Sequence, residues 1–536
     1  MTSHSPPTSA SPFMAFSPHE LTRATRLIRH PIHIIQEANN GRIGLTNHST
    51  DGSTSPFNHH EFDHLATLPP LYPEWLGDRS FCEAHDLRFP YVGGAMANGI
   101  ASPEMVIALA KAGMMGFLGT AGLSLDEMTE YIQRTRRTLG AESPGWGANL
   151  IHSPQEPTKE MATVELFFEL GVRRISASAF MGLTPAIVRY AAKGLHRHQG
   201  QIRRRHHIFA KISRPEVAGH FMRPAPSKLL DELVHQGQLT AEEAQLARHV
   251  PVASDITVES DSGGHTDNRP LSALFPVIAK LRDTIVAEHD YPCPIRLGAA
   301  GGLGTPSAVA AAFSLGAAYV LTGSINQSSV EAAQSQRAKE LLSQAAFSDV
   351  TMAPAGDMFE MGVEVQVLQR GVLFASRAKR LYEVYSHYES IDAIPNDLRN
   401  KLEDQIFRDS LEAIWQKTRD YFQTHDPEQV QRAHQDPKHK LALVCRWYLG
   451  LSSKWPLDGH ADRAMDFQIW MGPAQGAFND WVAGSFLESL SERGVVQMAL
   501  NLIEGAAIIT RAQQLRSYGA AIPSDAFNVR PRRLGL

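Results

Sequence analysis

Between residues 88 and 330, short apolar runs typical of buried strands alternate with longer stretches of helical spacing. The patterns predict helices that begin after the N-cap residues Ser102, Ser124 and Thr184. Eight strand–helix units in about 240 residues match the usual size of one closed barrel. We therefore predict an α/β fold, a TIM (β/α)8 barrel. The alternative is a doubly wound open sheet, which needs a topological switch point that the sequence does not reveal. The predicted strands are Pro90–Ala95, Met115–Leu118, Gly147–Ile151, Arg174–Ser178, Ile208–Ser213, Asp255–Glu259, Ile295–Gly298 and Tyr319–Thr322.

The pattern changes on both sides of this region, which predicts three parts of the chain. Residues 1–87 form an N-terminal tail and a small β-containing segment, with a hairpin that turns at Asn40 and Gly41. Residues 88–380 form the barrel. Residues 381–536 form a C-terminal helical domain, whose helices are expected over Leu398–Phe422, His439–Leu449 and Arg493–Gln514.

A helical insertion is expected over residues 214–254, between the fifth and sixth strands of the barrel. It holds two short helices, Ser227–His235 and one that begins after Thr240, where Glu243 completes a capping box. Because the insertion follows a strand, we expect it on the C-terminal face, where such barrels place their active sites. The sequence does not decide whether the insertion is a lid or docking element or a helical hairpin without function.

Composition excludes several classes of protein. The net charge is only −5 over 536 residues, so we expect no nucleic-acid partner. Cys82, Cys293 and Cys445 lie far apart, which argues against a disulfide framework and favours a reducing compartment. The first residues lack a basic start and an apolar core and predict a flexible tail, not a signal peptide. The run Val309–Leu321 is too short for a bilayer, so we expect a cytoplasmic protein without a membrane partner.

Residues 60–64 match the zinc motif HExxH literally. That motif needs a stable helix, so that both imidazoles lie on one face. Loop-like residues precede this segment, and Pro69 and Pro70 follow it within two turns. We therefore predict no metal site.

Glycines follow the last two predicted strands of the barrel. Such residues bring bare backbone amides close to a ligand, and Thr305 and Pro306 mark the start of a helix beside them. Amides and a helix N-terminus together favour an anion, so two neighbouring strand ends predict a phosphate site. The residues concerned are Gly301, Gly302, Thr322, Gly323 and Ser324.

Polar residues mark the ends of three further strands. Asn149 and Lys211 end or interrupt otherwise apolar strands, although each could also simply cap its strand. Gly263 and Gly264 lead into His265 at the end of the sixth strand. An imidazole titrates near physiological pH, so His265 can donate or accept a proton. We expect all three strand ends at the mouth of the barrel.

Together with Met96 after the first strand, these residues resemble the FMN-dependent barrel family that includes nitronate monooxygenases and the flavin-type enoyl-acyl carrier protein reductase. Segments that begin at Met352, Asp436, Arg446 and Gln468 extend the match over nearly the full length, to the trans-acting enoyl reductases of bacterial polyunsaturated fatty acid and polyketide synthases. The resemblance implies FMN as cofactor and NADPH or NADH as donor. The implied substrate is an enoyl thioester on an acyl carrier protein domain of a megasynthase, and a homodimer is compatible with the resemblance.

The resemblance also implies roles for single residues. The FMN phosphate would be held by Gly301, Gly302, Gly323 and Ser324. The other cofactor-binding residues would be Met96, Asn149, Lys211, Gly263, Gly264 and Thr322. His265 would be the catalytic residue, as proton donor or orienting group.

One departure and two other functions stay open at this point. The family commonly has a glutamate where this chain has Asp261, and Glu259 two residues earlier could serve instead. A nitronate or related flavin monooxygenase would use His265 as a base. A non-enzymatic protein that keeps FMN only as structure would be inert to both kinds of substrate.

Overall fold

The computed structural model describes residues 13–48, 60–140, 142–153, 157–291 and 293–535. The tail predicted at the N-terminus and much of the loop predicted after the first hairpin lie outside the described residues.

The N-terminal segment forms an antiparallel sheet of four strands in the order β1-β3-β2-β4. The predicted hairpin is confirmed, because β2 pairs with β3. The helix that a zinc motif would require at residues 60–64 is replaced by a turn and the start of β4. The elements are β1 (Met14–Ala15), α1 (Pro18–Thr25), β2 (Ile32–Glu37), β3 (Ile43–Thr46), β4 (Phe62–Leu68) and α2 (Arg79–His85).

Eight parallel strands close into the predicted barrel, and the open sheet is excluded. The strands from this point are β5 (Tyr91–Gly93), β6 (Met115–Leu118), β7 (Trp146–Ile151), β8 (Arg174–Ser178), β9 (His196–His198), β10 (Gln201–Arg203), β11 (His207–Ile212), β12 (Asp255–Glu259), β13 (Arg296–Ala300) and β14 (Tyr319–Thr322). The barrel order is β11-β12-β13-β14-β5-β6-β7-β8, and β9 and β10 form a separate hairpin. Four of the predicted strands, at β6, β8, β12 and β14, match residue for residue.

The helices of the barrel begin where the sequence predicts. The side chains of Ser102, Ser124, Thr184 and Thr305 each accept a hydrogen bond from the third backbone amide of the helix that follows. The helices are α3 (Pro103–Lys111), α4 (Leu125–Leu139), α5 (Pro157–Glu169), α6 (Pro185–Ala192), α7 (Pro215–Met222), α8 (Ser227–His235), α9 (Ala241–Ala247), α10 (Leu271–His289) and α11 (Pro306–Ser314).

The insertion has its two predicted helices, α8 and α9, but the predicted face is wrong. Helix α7, which the sequence analysis missed, follows β11 directly, packs on α10 and returns the chain to the opposite end of the barrel. The two helices of the insertion therefore lie in the connection from α7 to β12. Glu243 accepts a hydrogen bond there from the backbone amide of Gly194 at 2.8 Å, beside β9. The insertion is not a lid over the active face.

Beyond the barrel, an antiparallel hairpin appears that the sequence analysis also missed. Its strands are β15 (Val350–Pro354) and β16 (Glu364–Leu368). The predicted helix over Leu398–Phe422 is divided at Arg408, whose φ is +57°. The helices are α12 (Gln336–Ser343), α13 (Phe374–His387), α14 (Asn396–Leu402), α15 (Leu411–His425), α16 (Pro427–Gln435), α17 (Pro437–Ser452), α18 (Trp455–Asp458), α19 (Ala474–Val482) and α20 (Val495–Ser517).

Hydrophobic clusters show which segments share a core. One cluster joins the barrel to α19 and α20, and another joins the β15–β16 hairpin to the helices up to Met471. The end of α20 packs on the N-terminal sheet. The domain boundaries at residues 87 and 380 stay predictions. Helix α20 is long and apolar enough to cross a membrane by length and composition, yet 83% of its apolar window is buried inside the protein.

Candidate active site

An open cradle lies at the ends of the paired strands β13 and β14. It is formed by Gly301 and Gly302 after β13 and by Gly323 and Ser324 after β14. Gly301 and Gly302 have φ values of +85° and +70°, a region that favours glycine. A Cβ atom on Gly302 or Gly323 would meet no atom within 4 Å, so both residues border open space. A Cβ on Gly301 would lie 2.5 Å from Ser260 Oγ, which ties this cradle to the loop after β12. The cradle fits a phosphate group that approaches bare backbone.

The two hydroxyl residues predicted beside these glycines have different surroundings. The Thr322 hydroxyl is buried, 2.5 Å from Tyr91 Oη and 3.1 Å from Asn326 Nδ2. It therefore supports the strand end from within the barrel. Ser324 Oγ accepts a hydrogen bond from the Gly472 amide at 3.0 Å and keeps its own proton to donate.

Asn149 lies in β7, two residues before the strand ends, and its side chain is fixed. Its Nδ2 donates to Ser176 O and to Ser178 Oγ, both at 2.7 Å. Both amide protons are thereby used, so the side chain offers its Oδ1 acceptor to a ligand. A flavin pyrimidine carries one N–H donor that such an acceptor suits. Met96 is half-buried, and its carbonyl accepts from the Ala101 amide at 3.3 Å in the turn after β5.

The structure separates the two acids that the sequence left open. Glu259 Oε1 lies 2.9 Å from Lys211 Nζ and accepts a hydrogen bond from Ser262 Oγ at 3.1 Å. Asp261 Oδ1 instead accepts from Gln366 Nε2 at 2.7 Å and from Asn268 Nδ2 at 3.1 Å. Glu259 therefore belongs to the charged pair in the barrel mouth, whereas Asp261 organises the loop that carries the histidine.

That loop is held against the C-terminal part of the chain. Gly264 and Gln366 exchange backbone hydrogen bonds of 2.9 and 2.8 Å. A Cβ on Gly263 would lie 2.8 to 2.9 Å from backbone atoms of Met471, and a Cβ on Gly472 would meet Gly263 N at 2.9 Å. Gly263 thus has a packing reason to lack a side chain, whereas Gly264 has a left-handed φ of +81°, and the contact of both with a cofactor stays a prediction.

His265 lies at the end of this loop, with Nε2 3.0 Å from Asp357 Oδ2. Burial lowers the pKa of His265, but the hydrogen bond and charge of Asp357, together with the charge of Glu259, outweigh burial and leave the pKa raised. Asp357 comes from the connection between β15 and β16. No local signal in the sequence marks Asp357 for this contact, although it lies in a segment that carries the family resemblance, because 92 residues separate it from the histidine.

A second cluster of titratable groups lies at the opposite end of the barrel. Ligand-type atoms of His85, His207 and Asp255 lie within 4.8 Å of one another. Arg296, however, binds both carboxylate oxygens of Asp255, at 2.7 and 2.9 Å. Burial lowers the pKa of both histidines, with the charge of Asp255 opposing it in each. The guanidinium already supplies the positive charge, so this cluster is a buried ion pair.

Family profiles match two parts of the chain. The profile described as nitronate monooxygenase matches residues 81–371. The profile described as the inserted helical domain of [acyl-carrier-protein] S-malonyltransferase matches residues 388–467.

Several known proteins are similar over most of the chain. One component of the polyunsaturated fatty acid synthase of Thraustochytrium sp. is 46% identical over 82% of this chain and 30% of its own length. Polyketide biosynthesis protein PksE of Bacillus subtilis is 43% identical over 85% of this chain and 59% of its own length. The chain thus spans less than two thirds of these relatives.

One solved structure, the enoyl reductase domain of MlnA from the macrolactin biosynthesis cluster of Bacillus amyloliquefaciens, superposes with a TM-score of 0.79 and is 36% identical. The match covers 83% of this chain and 99% of that domain. The chain therefore belongs to the nitronate monooxygenase family of barrels, and within it is related to an enoyl reductase domain and to components of polyunsaturated fatty acid and polyketide synthases.

Proposed function

We propose that this protein is an FMN-dependent enoyl reductase, which uses NADPH or NADH to reduce enoyl thioesters held on acyl carrier protein domains. The observation that carries the proposal is that Gly472 joins the open cradle to the histidine loop, through a hydrogen bond to Ser324 and a close contact with Gly263. The likeness to the enoyl reductase domain of MlnA supports this substrate class. The relatives named for fatty acid and polyketide synthesis support a carrier-bound substrate.

Different residues at the mouth of the barrel would bind different parts of FMN. Backbone amides around Gly302 and Gly323, with the Ser324 hydroxyl, would hold the phosphate of FMN. Asn149 would accept the ring N–H through Oδ1, and Lys211 would offer a positive charge. When bound, FMN supplies the transfer of hydride from the nicotinamide donor to the β-carbon of the enoyl group.

His265 would complete the reaction by giving a proton to the α-carbon of the substrate. Its raised pKa keeps the imidazole protonated to a higher pH, which suits a general acid. The C-terminal part of the chain packs beside the mouth, because Gly472 contacts Gly263 and Asn98 Nδ2 donates to Ser453 Oγ at 3.3 Å.

We also propose that the protein acts in the cytoplasm. All three cysteines are free, which suits a reducing compartment.

The description of the matching family favours one second candidate, a nitronate monooxygenase, in which His265 would remove a proton. The test starts from purified protein, whose absorption spectrum should show a flavin that NADPH bleaches without oxygen. An enoyl thioester on a carrier protein should then restore the oxidised spectrum, whereas a nitroalkane should not. Bleaching of the oxidised flavin by a nitroalkane without NADPH, with reoxidation by oxygen and not by the enoyl thioester, would favour the second candidate, in which the nitroalkane is the electron donor. A protein that stays colourless after incubation with FMN would contradict both.

A further inference from the structure

We propose that Asp357 is a positioning residue for this reaction, which fixes His265 through Nε2 and leaves Nδ1 as the nitrogen that delivers the proton. The inference rests on the proposed function. It assigns part of the active site to a residue outside the barrel strands, from the connection between β15 and β16.

The hairpin and the histidine loop are joined at three points. The first is the pair of backbone hydrogen bonds between Gly264 and Gln366. The second is the Gln366 side chain, which donates to Asp261 Oδ1 at 2.7 Å and to Ser262 O at 2.8 Å. The third is the contact of His265 Nε2 with Asp357 Oδ2 at 3.0 Å. With the backbones on both sides held, the carboxylate and the imidazole meet in a fixed orientation.

The surroundings of the Asp357 carboxylate also favour its ionised form, which can accept a hydrogen bond from His265. Burial raises the pKa of Asp357, but the hydrogen bond and charge of His265, together with the backbone amides of Asp357 and Met358, outweigh burial and leave the pKa lowered. Asp357 therefore remains ionised and accepts the Nε2–H of the imidazole. No hydrogen bond to Nδ1 occurs among the residues that the structure describes, so this nitrogen is the one left for the substrate.

The proton balance of the step is simple. Hydride adds to the β-carbon, the Nδ1–H bond of the imidazolium breaks, and a C–H bond forms at the α-carbon. His265 becomes neutral, keeps its Nε2–H bond to Asp357, and recovers one proton from solvent. The nicotinamide donor is oxidised and the enoyl group is reduced by the same two electrons.

Other charges also face His265, and two of them oppose each other. Glu259 on β12 and Lys211 on β11 lie 2.9 Å apart and act in opposite directions on its pKa. Asp261 is occupied by Gln366 and Asn268. Asp357 is therefore the charge that distinguishes this histidine, and its removal should lower the pKa of His265 and shorten the range of pH over which Nδ1 is protonated.

The variant Asp357→Asn tests the inference. We expect the basic limb of the kcat/KM profile for enoyl reduction to move to lower pH, with about a tenfold loss at high pH for each pH unit of movement. Reduction of the bound flavin by NADPH and the affinity for FMN should not change. The second readout is the pKa of His265 in 15N-histidine NMR spectra, which should fall. Because the chain has 24 histidines, the spectrum of His265→Gln identifies the signal.

Two further variants serve as controls. Many protein atoms surround His265 and Asp357, yet their side chains keep 33% and 54% of their exposure to solvent. A pair so exposed adds little stability, so Asp357→Asn should fold. Asp357→Glu should restore part of the lost range. Asp267→Asn removes a nearby carboxylate that pairs with Arg214 at 2.9 Å, and should leave the profile in place.

The outcomes separate the inference from the proposed function. An unmoved His265 signal in Asp357→Asn, or an equal movement in Asp267→Asn, would overturn the positioning role. A parent protein that binds FMN but reduces no enoyl thioester would overturn the proposed function, whatever the NMR spectra show.

Discussion

At the scale of single residues, the cradle depends on an absent side chain. Gly302 combines a left-handed φ with open space where a Cβ would project. The variant Gly302→Val would fill that space and strain the backbone, so we expect the affinity for FMN to fall by tenfold or more. Fluorescence titration of the protein with FMN measures this loss. Retained affinity would refute the phosphate assignment.

A second glycine separates the two effects of that substitution. Gly316, after α11, also has a left-handed φ, +96°, and open space around its Cβ position. Gly316→Val should therefore show the strain, about 1–2 kcal/mol in the free energy of unfolding, without the loss of FMN. Equal loss of FMN in both variants would mean that strain, and not occupation of the cradle, explains the result.

His265 should be needed for reduction of the enoyl substrate but not for reduction of the flavin by NADPH. In His265→Ala we expect FMN to bind and NADPH to reduce it as before, because neither step needs the imidazole. Enoyl reduction should fall by about 10²- to 10⁴-fold, the usual contribution of a general acid. Stopped-flow absorbance resolves the two half-reactions. Unchanged turnover with the enoyl substrate would exclude a proton-donor role.

At the scale of elements, the barrel could be predicted because its signals are local. In β12 the apolar residues Ile256 and Val258 alternate with polar ones, and β14 begins with a short apolar run. Each N-cap lies within three residues of the amide that it binds. The insertion was placed on the wrong face because nothing local marks α7 as the helix that returns the chain. The alternation of buried Val365 and Val367 with polar neighbours was a usable signal for β16.

The candidate site could be predicted only in part, because only some of its features have local signals in the sequence. Glycines and polar strand ends reveal which residues reach the mouth, as with Asn149 and Lys211. The contacts of Asp357 and Met471 with the histidine loop join residues far apart in the chain. Only tertiary packing brings such residues together.

The contact between the histidine loop and the 470–472 segment should be intolerant of added atoms. In Gly263→Ala, the new Cβ would lie 2.8 to 2.9 Å from backbone atoms of Met471. Neither backbone segment can move away easily. We expect a loss of about 1–3 kcal/mol in the free energy of unfolding, and slower enoyl reduction. Gly182→Ala is a suitable control, because no atom lies within 4 Å of its Cβ position. Thermal unfolding of both variants tests the difference, and equal melting temperatures would contradict it.

At the scale of the whole molecule, α20 connects the N-terminal sheet to the glycine cradle. Its apolar residues pack on α11, whose first residue, Pro306, follows the cradle glycines by four positions. Its last turns pack on the N-terminal sheet. Burial against these elements accounts for a composition that would otherwise suit a membrane.

A close approach of α20 to the start of α11 offers a test of this connection. A Cβ on Gly505 would lie 2.7 Å from two ring carbons of Pro306, and the proline ring cannot rotate away. Gly505→Ala should therefore push α11 outward, lowering the free energy of unfolding by about 1–3 kcal/mol, less the gain of up to about 1 kcal/mol from better helix propensity. Because Pro306 follows the cradle, the affinity for FMN should fall as well. Gly450→Ala, in α17 with no atom near its Cβ position, should show only the gain. If Gly505→Ala matched Gly450→Ala in stability and bound FMN like the parent, α20 would not support the cradle.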